Sequence, residues 1–228
     1  MASRWLESIR STRQLSVFPG GTLAGSWPAV FDSALQEFNK LSSALGLGVT
    51  LTRSATPVNR FLTGANVQFE AATNAFTFEN TFWGPQTVSL TGSTAKTRPL
   101  PSTSAGGRLG QALILVPLAP KVLAGPTGQR TLREAGDPIK LVIAVHELIH
   151  ACGLDDSDHT PLGDPDVFVS PLVDDADAVD PAKDREDAGT KNGVAIKLPP
   201  LLLSAQTAVK IQALWLLPNP VIHFPHTF

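Results

Sequence analysis

The stretch DPIKLVIAVHELIHACGLDDSDH, residues 137–159, decides how the rest of this sequence is interpreted. Pro138 suits the first turn of an α-helix, and Asp137 is a candidate cap. The run that follows is apolar nearly all round and ends at Gly153, which predicts a buried central helix. Two histidines and a glutamate interrupt this apolar run. Burying them without partners is costly, so they indicate a function.

His146, Glu147 and His150 form the pattern HExxH. Residues four apart on a helix lie on one face, so both imidazoles point to a position where a zinc ion could bind, with bonds of about 2.0–2.1 Å. Glu147 is wrongly angled to be a ligand but can reach a water on the metal. Zinc lowers the pKa of such a water to about 7. The carboxylate can then take the proton as the water attacks a carbonyl, and pass it to the leaving amine.

A catalytic zinc normally has three protein ligands and a water, so a third ligand is expected. Gly153 can adopt a left-handed conformation that turns the chain back beneath the metal. Asp156 and His159 both lie within reach, and both side chains are chemically suitable. We favour His159, because imidazole is the commoner ligand beside two histidines, and keep Asp156 as the alternative.

The periodicity of the remaining sequence predicts further helices and strands. Apolar residues at helical spacing predict helices over 27–45 and 201–215, the second capped by Ser204. Alternating or short apolar runs predict strands at 49–53, 65–71, 75–80 and 111–118. Residues 83–108 and 121–138 are expected to be mostly loop.

Composition narrows the function classes. The chain has 228 residues, is 43% hydrophobic and 17% charged, and carries a net charge of −2. These values are typical of a soluble globular protein with no basic field for nucleic acid and no membrane helix of about 18–20 apolar residues. A monomer is expected. Cys152 is the only cysteine, so no internal disulfide can form. The N-terminus lacks the apolar segment of a secretory signal, so we expect a cytoplasmic protein or one exported by a signal-independent route.

The segment from Asp155 to Asp187 is strongly acidic. It holds twelve acidic and two basic residues, a charge of −10 against +8 for the rest of the chain. A long solvated loop is the favoured interpretation. A calcium site is the alternative, although the segment lacks the regular calcium-loop pattern and no ligand can be named.

The HELIHACGLDDS segment resembles the zinc segment of metzincin metallopeptidases, whose pattern is HExxHxxGxxH. His146, Glu147, His150 and Gly153 match this pattern, which is matrixin-like. Asp156 falls at the third-histidine position, where snapalysin-like members have aspartate, and His159 comes three residues later.

The resemblance implies an α+β fold with a twisted mixed sheet packed on a central zinc-binding helix, followed by an irregular C-terminal lobe and a final helix. Residues 1–26 are rich in Ser, Thr, Gly and Arg, which predicts an arm or irregular lead-in. Residues 27–228 would be the catalytic domain, with an upper lobe over 27–153 and a lower lobe over 154–228. The resemblance also implies that the strand at 111–118 is an edge strand beside the cleft, where a peptide substrate could add as a further strand.

The chain departs from the metzincin pattern in two further ways. Its only methionine is Met1, so the Met-turn methionine is missing, and Leu198 stands where it is expected. The sequence has no tyrosine, which excludes a tyrosine ligand of the astacin type. In the other HExxH architecture, called gluzincin, the third ligand is a downstream glutamate, and here only Glu186 is available.

Other residues near the motif have weaker interpretations. Cys152 points away from the metal on the helix and is expected to be a small buried residue. Asp164 and Asp166 are candidates to orient the ligating imidazoles, although turn formation is the favoured use. His223 and His226 are candidate oxyanion donors but read more simply as tail residues.

The leading functional prediction is a zinc-dependent endopeptidase that acts on protein or peptide substrates. One alternative is a metzincin-like binding module or structural protein with weak or no activity, motivated by Asp156 and the missing methionine. Another is a metal-dependent amidase that acts on cell-wall peptides.

Overall fold

The computed structural model describes residues 3–79, 84–90, 95–100, 108–124, 131–160, 166–168, 190–191, 194–195 and 201–216. Within them the fold is of the mixed α+β class, as predicted. The helices are α1 (Glu7–Arg10), α2 (Trp27–Leu45), α3 (Asp137–Ala151) and α4 (Ala205–Trp215). The strands are β1 (Gln14–Pro19), β2 (Thr50–Arg53), β3 (Val67–Ala72), β4 (Ala75–Phe78), β5 (Gln86–Ser89), β6 (Lys96–Leu100), β7 (Gln111–Pro117), β8 (Lys121–Ala124), β9 (Thr131–Glu134), β10 (Thr190–Lys191) and β11 (Val194–Ala195). No helix of the described residues is long and apolar enough to cross a membrane.

The central sheet has five strands in the order β2-β1-β3-β7-β6. The first four strands are parallel, and β6 runs antiparallel to β7. Strand β7 therefore has a neighbour on each side, and the prediction of an edge strand at 111–118 is wrong. Its apolar run fits an interior strand buried on both faces. The edge on this side of the described sheet is β6, where Pro99 is tolerated because an edge strand has fewer hydrogen bonds to donate.

The two faces of the sheet are covered differently. Ile114 and its same-face neighbours pack in the main core with the buried residues of α2, α3 and α4. Leu113 and Leu115 point to the other face, where they join a smaller cluster with Phe78 of β4 and Val88 of β5. Helix α3 thus lies in the main core, packed against the sheet.

Three stretches that were predicted to be irregular contain strands. Strand β1 is an interior strand of the sheet, between β2 and β3, so the prediction of an irregular arm over 1–26 is wrong there. Trp5 is also part of the main core. The stretch 83–108 contains β5 and β6, and the stretch 121–138 contains the hairpin β8–β9. Each of these strands is stabilised by pairing with a partner strand, which the composition of its own stretch does not reveal.

The predicted helices are confirmed, although α4 begins at Ala205 and not at residue 201, and the cap of α3 differs. Helix α2 ends at Gly46, which has φ 62°. Ser204 caps α4 and accepts a hydrogen bond from the backbone N–H of Thr207. In α3, however, Gly136 is the N-cap residue and Asp137 lies in the first turn without a capping hydrogen bond.

The C-terminal end of α3 is held by chain segments from both ends of the protein. The indole of Trp5 donates to the carbonyl of Ala151 (2.8 Å), and that of Trp215 donates to the carbonyl of Cys152 (3.0 Å). Gly153 has φ 111°, and a Cβ there would come within 2.2 Å of the Ser3 carbonyl oxygen. These contacts satisfy carbonyls that a helix end leaves without partners, and they fix the point where the chain turns back.

Candidate metal centre

The three histidines proposed as ligands converge on one point. The Nε2 atoms of His146 and His150 are 3.2 Å apart. The Nε2 atom of His159 is 3.1 Å from that of His146 and 3.0 Å from that of His150. Among the described residues, this is the group of side chains brought close enough together to hold a metal ion.

Two backbone carbonyls fix which ring nitrogens point into the cluster. The Nδ1 atom of His146 is 2.9 Å from the carbonyl oxygen of Val167, and that of His150 is 3.1 Å from the carbonyl oxygen of Leu154. A carbonyl only accepts, so each Nδ1 carries the proton and each Nε2 presents a lone pair. Lone pairs that face each other at this distance repel unless a cation lies among them.

The spacing of the nitrogens fits a small divalent ion. Two ligands at about 2.0–2.1 Å from a tetrahedral zinc are about 3.3 Å apart. The observed separations of 3.0–3.2 Å are close to this value. Three nitrogens in a near-equilateral triangle leave the fourth position of a tetrahedral ion open, as a catalytic site requires.

The turn after α3 brings His159, and not Asp156, into the cluster. Asp156 begins a 3-10 turn (Asp156–Asp158), in which the side chain of Asp155 accepts from Ser157 N–H and that of Asp158 accepts from Asp155 N–H. Lys210 of α4 donates to the Asp158 carbonyl at 2.7 Å. The turn points His159 inward.

The carboxylate of Asp156 stays at the rim of the cluster. Its side chain is 98% exposed, and its Oδ1 lies 3.9 Å from the Nε2 of His150. It is therefore close enough to add negative charge to the site without being one of the three convergent groups.

Glu147 is buried beside the cluster and is held by a residue that the sequence did not single out. The hydroxyl of Thr97, on β6, donates to Oε2 of Glu147 at 2.6 Å and also lies 3.1 Å from its backbone carbonyl. The edge strand of the described sheet thus orients the predicted general base. Thr97 lies 50 residues from Glu147, in a stretch predicted to be loop, so no local pattern indicated this contact.

Burial dominates the ionisation of the site. It lowers the pKa of His146 well below its ordinary value and that of His150 to about 4. It also lowers the pKa of His159, although Asp156 and Asp158 oppose this change. The three imidazoles are therefore neutral at pH 7, which is the form that binds metal. Burial raises the pKa of Glu147 to about 8, the Thr97 hydrogen bond opposes the rise, and Asp156 adds to it.

The raised pKa of Glu147 predicts a pH effect on the stability of the metal-free protein. Between its ordinary pKa of 4.5 and about 8, the folded state binds a proton that the unfolded state lacks. The contribution of Glu147 to the free energy of unfolding therefore falls as pH rises through this window, by about 3–5 kcal/mol when complete. Glu147→Gln removes this contribution, so it should raise the urea midpoint much more at pH 8.5 than at pH 5.

Glu79→Gln, which changes an exposed carboxylate, is the matched control for the loss of one charge. If Glu147→Gln shifts the midpoint equally at both pH values, the burial of Glu147 does not raise its pKa.

An aromatic ring that sequence reasoning also missed packs against all three imidazoles. The ring centroid of Phe168 lies 5.1, 4.7 and 4.6 Å from those of His146, His150 and His159. Asp166, a candidate to bond the imidazoles, instead bonds Thr160, Thr207 and the Phe168 N–H. The carbonyl of Val167 makes the imidazole contact in its place.

The remaining sequence candidates lie outside this cluster or outside the described residues. Cys152 is buried in the main core, as expected, and burial raises the pKa of its thiol. The other candidates fall in residues that the structure does not describe, namely Asp164, Glu186, Leu198, His223 and His226. Most of the acidic segment proposed for calcium also lies outside the described residues.

Comparison with known protein families gives no match for this chain, and comparison with curated protein sequences gives none either. The metzincin resemblance therefore rests on the motif residues.

Proposed function

We propose that the chain is a zinc-dependent endopeptidase of the metzincin type. The observation that carries the proposal is the triangle of three Nε2 atoms, 3.0–3.2 Å apart, beside a buried carboxylate. Imidazole ligands suit zinc among the common ions, and three of them with an open fourth position are typical of a catalytic site. His146, His150 and His159 would hold the ion.

The chemistry follows from the residues around that position. A zinc ion there would polarise a scissile carbonyl and lower the pKa of a bound water to about 7. A cation beside Glu147 would lower its raised pKa and keep the carboxylate ionised. Glu147 can then accept the proton of the attacking water and deliver it to the departing amide nitrogen. Thr97 fixes Oε2 of Glu147, so the other oxygen is the one that serves the proton transfer.

We assign to β6 the peptide-pairing role that was predicted for the strand at 111–118. This strand is the edge of the described sheet, and its Thr97 contacts Glu147. A peptide that pairs with β6 would lie beside the general base. The unpaired backbone groups of an edge strand are suited to hold an extended peptide of varied sequence.

The test is zinc content measured together with cleavage of an unfolded, casein-like substrate. We expect the purified protein to cleave this substrate, to lose activity when zinc is removed by a chelator, and to regain it when zinc is restored. Bound zinc without any turnover would contradict the endopeptidase and favour the binding module.

A further inference from the structure

The ring of Phe168 packs against one face of the histidine cluster, which we call the apolar base of the cluster. The Phe168 side chain is 0% exposed. The ring is tilted 33° to that of His146 and 51° to that of His159, and it stands at 67° to that of His150. One rigid ring thus contacts all three imidazoles and limits how far each can rotate, because aromatic pairs at these separations have preferred orientations.

The residue before Phe168 fixes one imidazole directly. The carbonyl of Val167 accepts from Nδ1 of His146, which sets the ring's tautomer and orientation. The backbone that carries Phe168 therefore also aims one of the three nitrogens. A shift of residues 166–168 would disturb the ring contacts and this hydrogen bond together.

The segment 166–168 is anchored by a buried carboxylate. Asp166 is 4% exposed. Its Oδ2 accepts from the hydroxyls of Thr160 (3.1 Å) and Thr207 (2.9 Å), and its Oδ1 accepts from the backbone N–H of Phe168 (2.9 Å). Thr207 belongs to α4, so this helix holds the base of the cluster in place.

Backbone hydrogen bonds complete the anchor. The N–H of Thr160 donates to the carbonyl of Phe168 (2.9 Å), and the N–H of Val167 donates to the carbonyl of Leu202 (2.8 Å). Thr160 directly follows His159, so the third histidine and Phe168 are tied to each other through one residue. These hydrogen bonds therefore connect the residue next to His159 with the segment 166–168.

We propose that Phe168 is a positioning residue that holds the three imidazoles in their convergent arrangement, and that Asp166 and Thr207 keep it there. This inference rests on the proposed zinc site and assigns the apolar base of that site to Phe168. The affinity and coordination geometry of the metal then depend on Phe168, although it touches no metal itself.

The experiment compares Phe168→Leu with Phe38→Leu. Phe38 lies in α2 and is equally buried, and it is not among the described rings that pack against the three histidines. Both variants should lower the urea midpoint of the metal-free protein, because each leaves a smaller side chain in the core. Only Phe168→Leu should weaken zinc binding, by about 10–100-fold in chelator competition, and alter the visible spectrum of the Co²⁺-substituted protein.

Thr207→Val is the milder second variant, since it keeps the side-chain shape and removes one hydroxyl from Asp166. We expect a change in zinc affinity and in the Co²⁺ spectrum in the same direction but smaller. If Phe168→Leu keeps the wild-type zinc affinity and Co²⁺ spectrum, the inference is wrong while the proposed function stands. If Phe168→Leu does not fold, the same result in Thr207→Val has the same meaning. A wild-type protein that binds no zinc would overturn the proposed function, and this inference with it.

Discussion

Replacing Glu147 with glutamine is expected to abolish peptide hydrolysis while the protein keeps its metal. Glutamine has the size and shape of glutamate, and its side-chain oxygen can still accept the hydrogen bond from Thr97. It cannot take a proton from water. A positioned general base contributes about 10²–10⁴-fold to such reactions, so kcat should fall by at least about 100-fold.

Zinc content and kcat measured on the same preparation check this expectation. Glu147 is not among the three convergent nitrogen donors, so zinc per chain should equal that of the wild type. Glu134→Gln, which changes an exposed carboxylate outside the site, is the control and should keep both zinc and activity. A Glu147→Gln variant that hydrolyses peptides at the wild-type rate would show that another group is the base.

The second large effect is expected from His159, compared with Asp156. The Nε2 atom of His159 lies 3.0–3.1 Å from those of His146 and His150. The Asp156 side chain is 98% exposed, and its Oδ1 is 3.9 Å from Nε2 of His150. Zinc binds zinc-finger peptides with about 10–16 kcal/mol shared among the ligands, so loss of one ligand from a three-histidine site should weaken binding by at least about 100-fold. We therefore expect His159→Ala to lose zinc and Asp156→Ala to retain it.

Chelator competition on both variants, with the urea midpoint of each metal-free protein, separates loss of a ligand from loss of the fold. His159 is partly exposed, so the alanine variant should fold nearly as well as the wild type. If Asp156→Ala loses zinc while His159→Ala keeps it, the ligand assignment must be exchanged.

The parts of the fold that the sequence predicted are the helices with apolar residues at helical spacing and the strands with an alternating or continuous apolar run. Helix α2 spans the predicted residues 27–45, and the cap at Ser204 is where its side-chain chemistry indicated. Strands β2, β3, β4 and β7 fall in stretches that were predicted to be strands. Strands β1, β5 and β6 were missed because they lie in stretches rich in Ser, Thr, Gly and Pro, and their stability comes from pairing with other strands.

The candidate site likewise contains residues that a local pattern predicts and residues that only the tertiary structure brings together. His146, Glu147 and His150 follow from spacing within one helix, and His159 from the reach of the chain after Gly153. Thr97 and Phe168 could not be predicted in this way. Their contacts depend on sheet order and on the return of the chain to α4, and no short motif encodes either feature.

The most direct test of the central claim is a titration of the metal-free protein with zinc, followed by X-ray absorption spectroscopy of the loaded sample. We predict uptake of one zinc per chain, with three imidazole nitrogens at about 2.0–2.1 Å. A chain that takes up no stoichiometric metal would contradict the account.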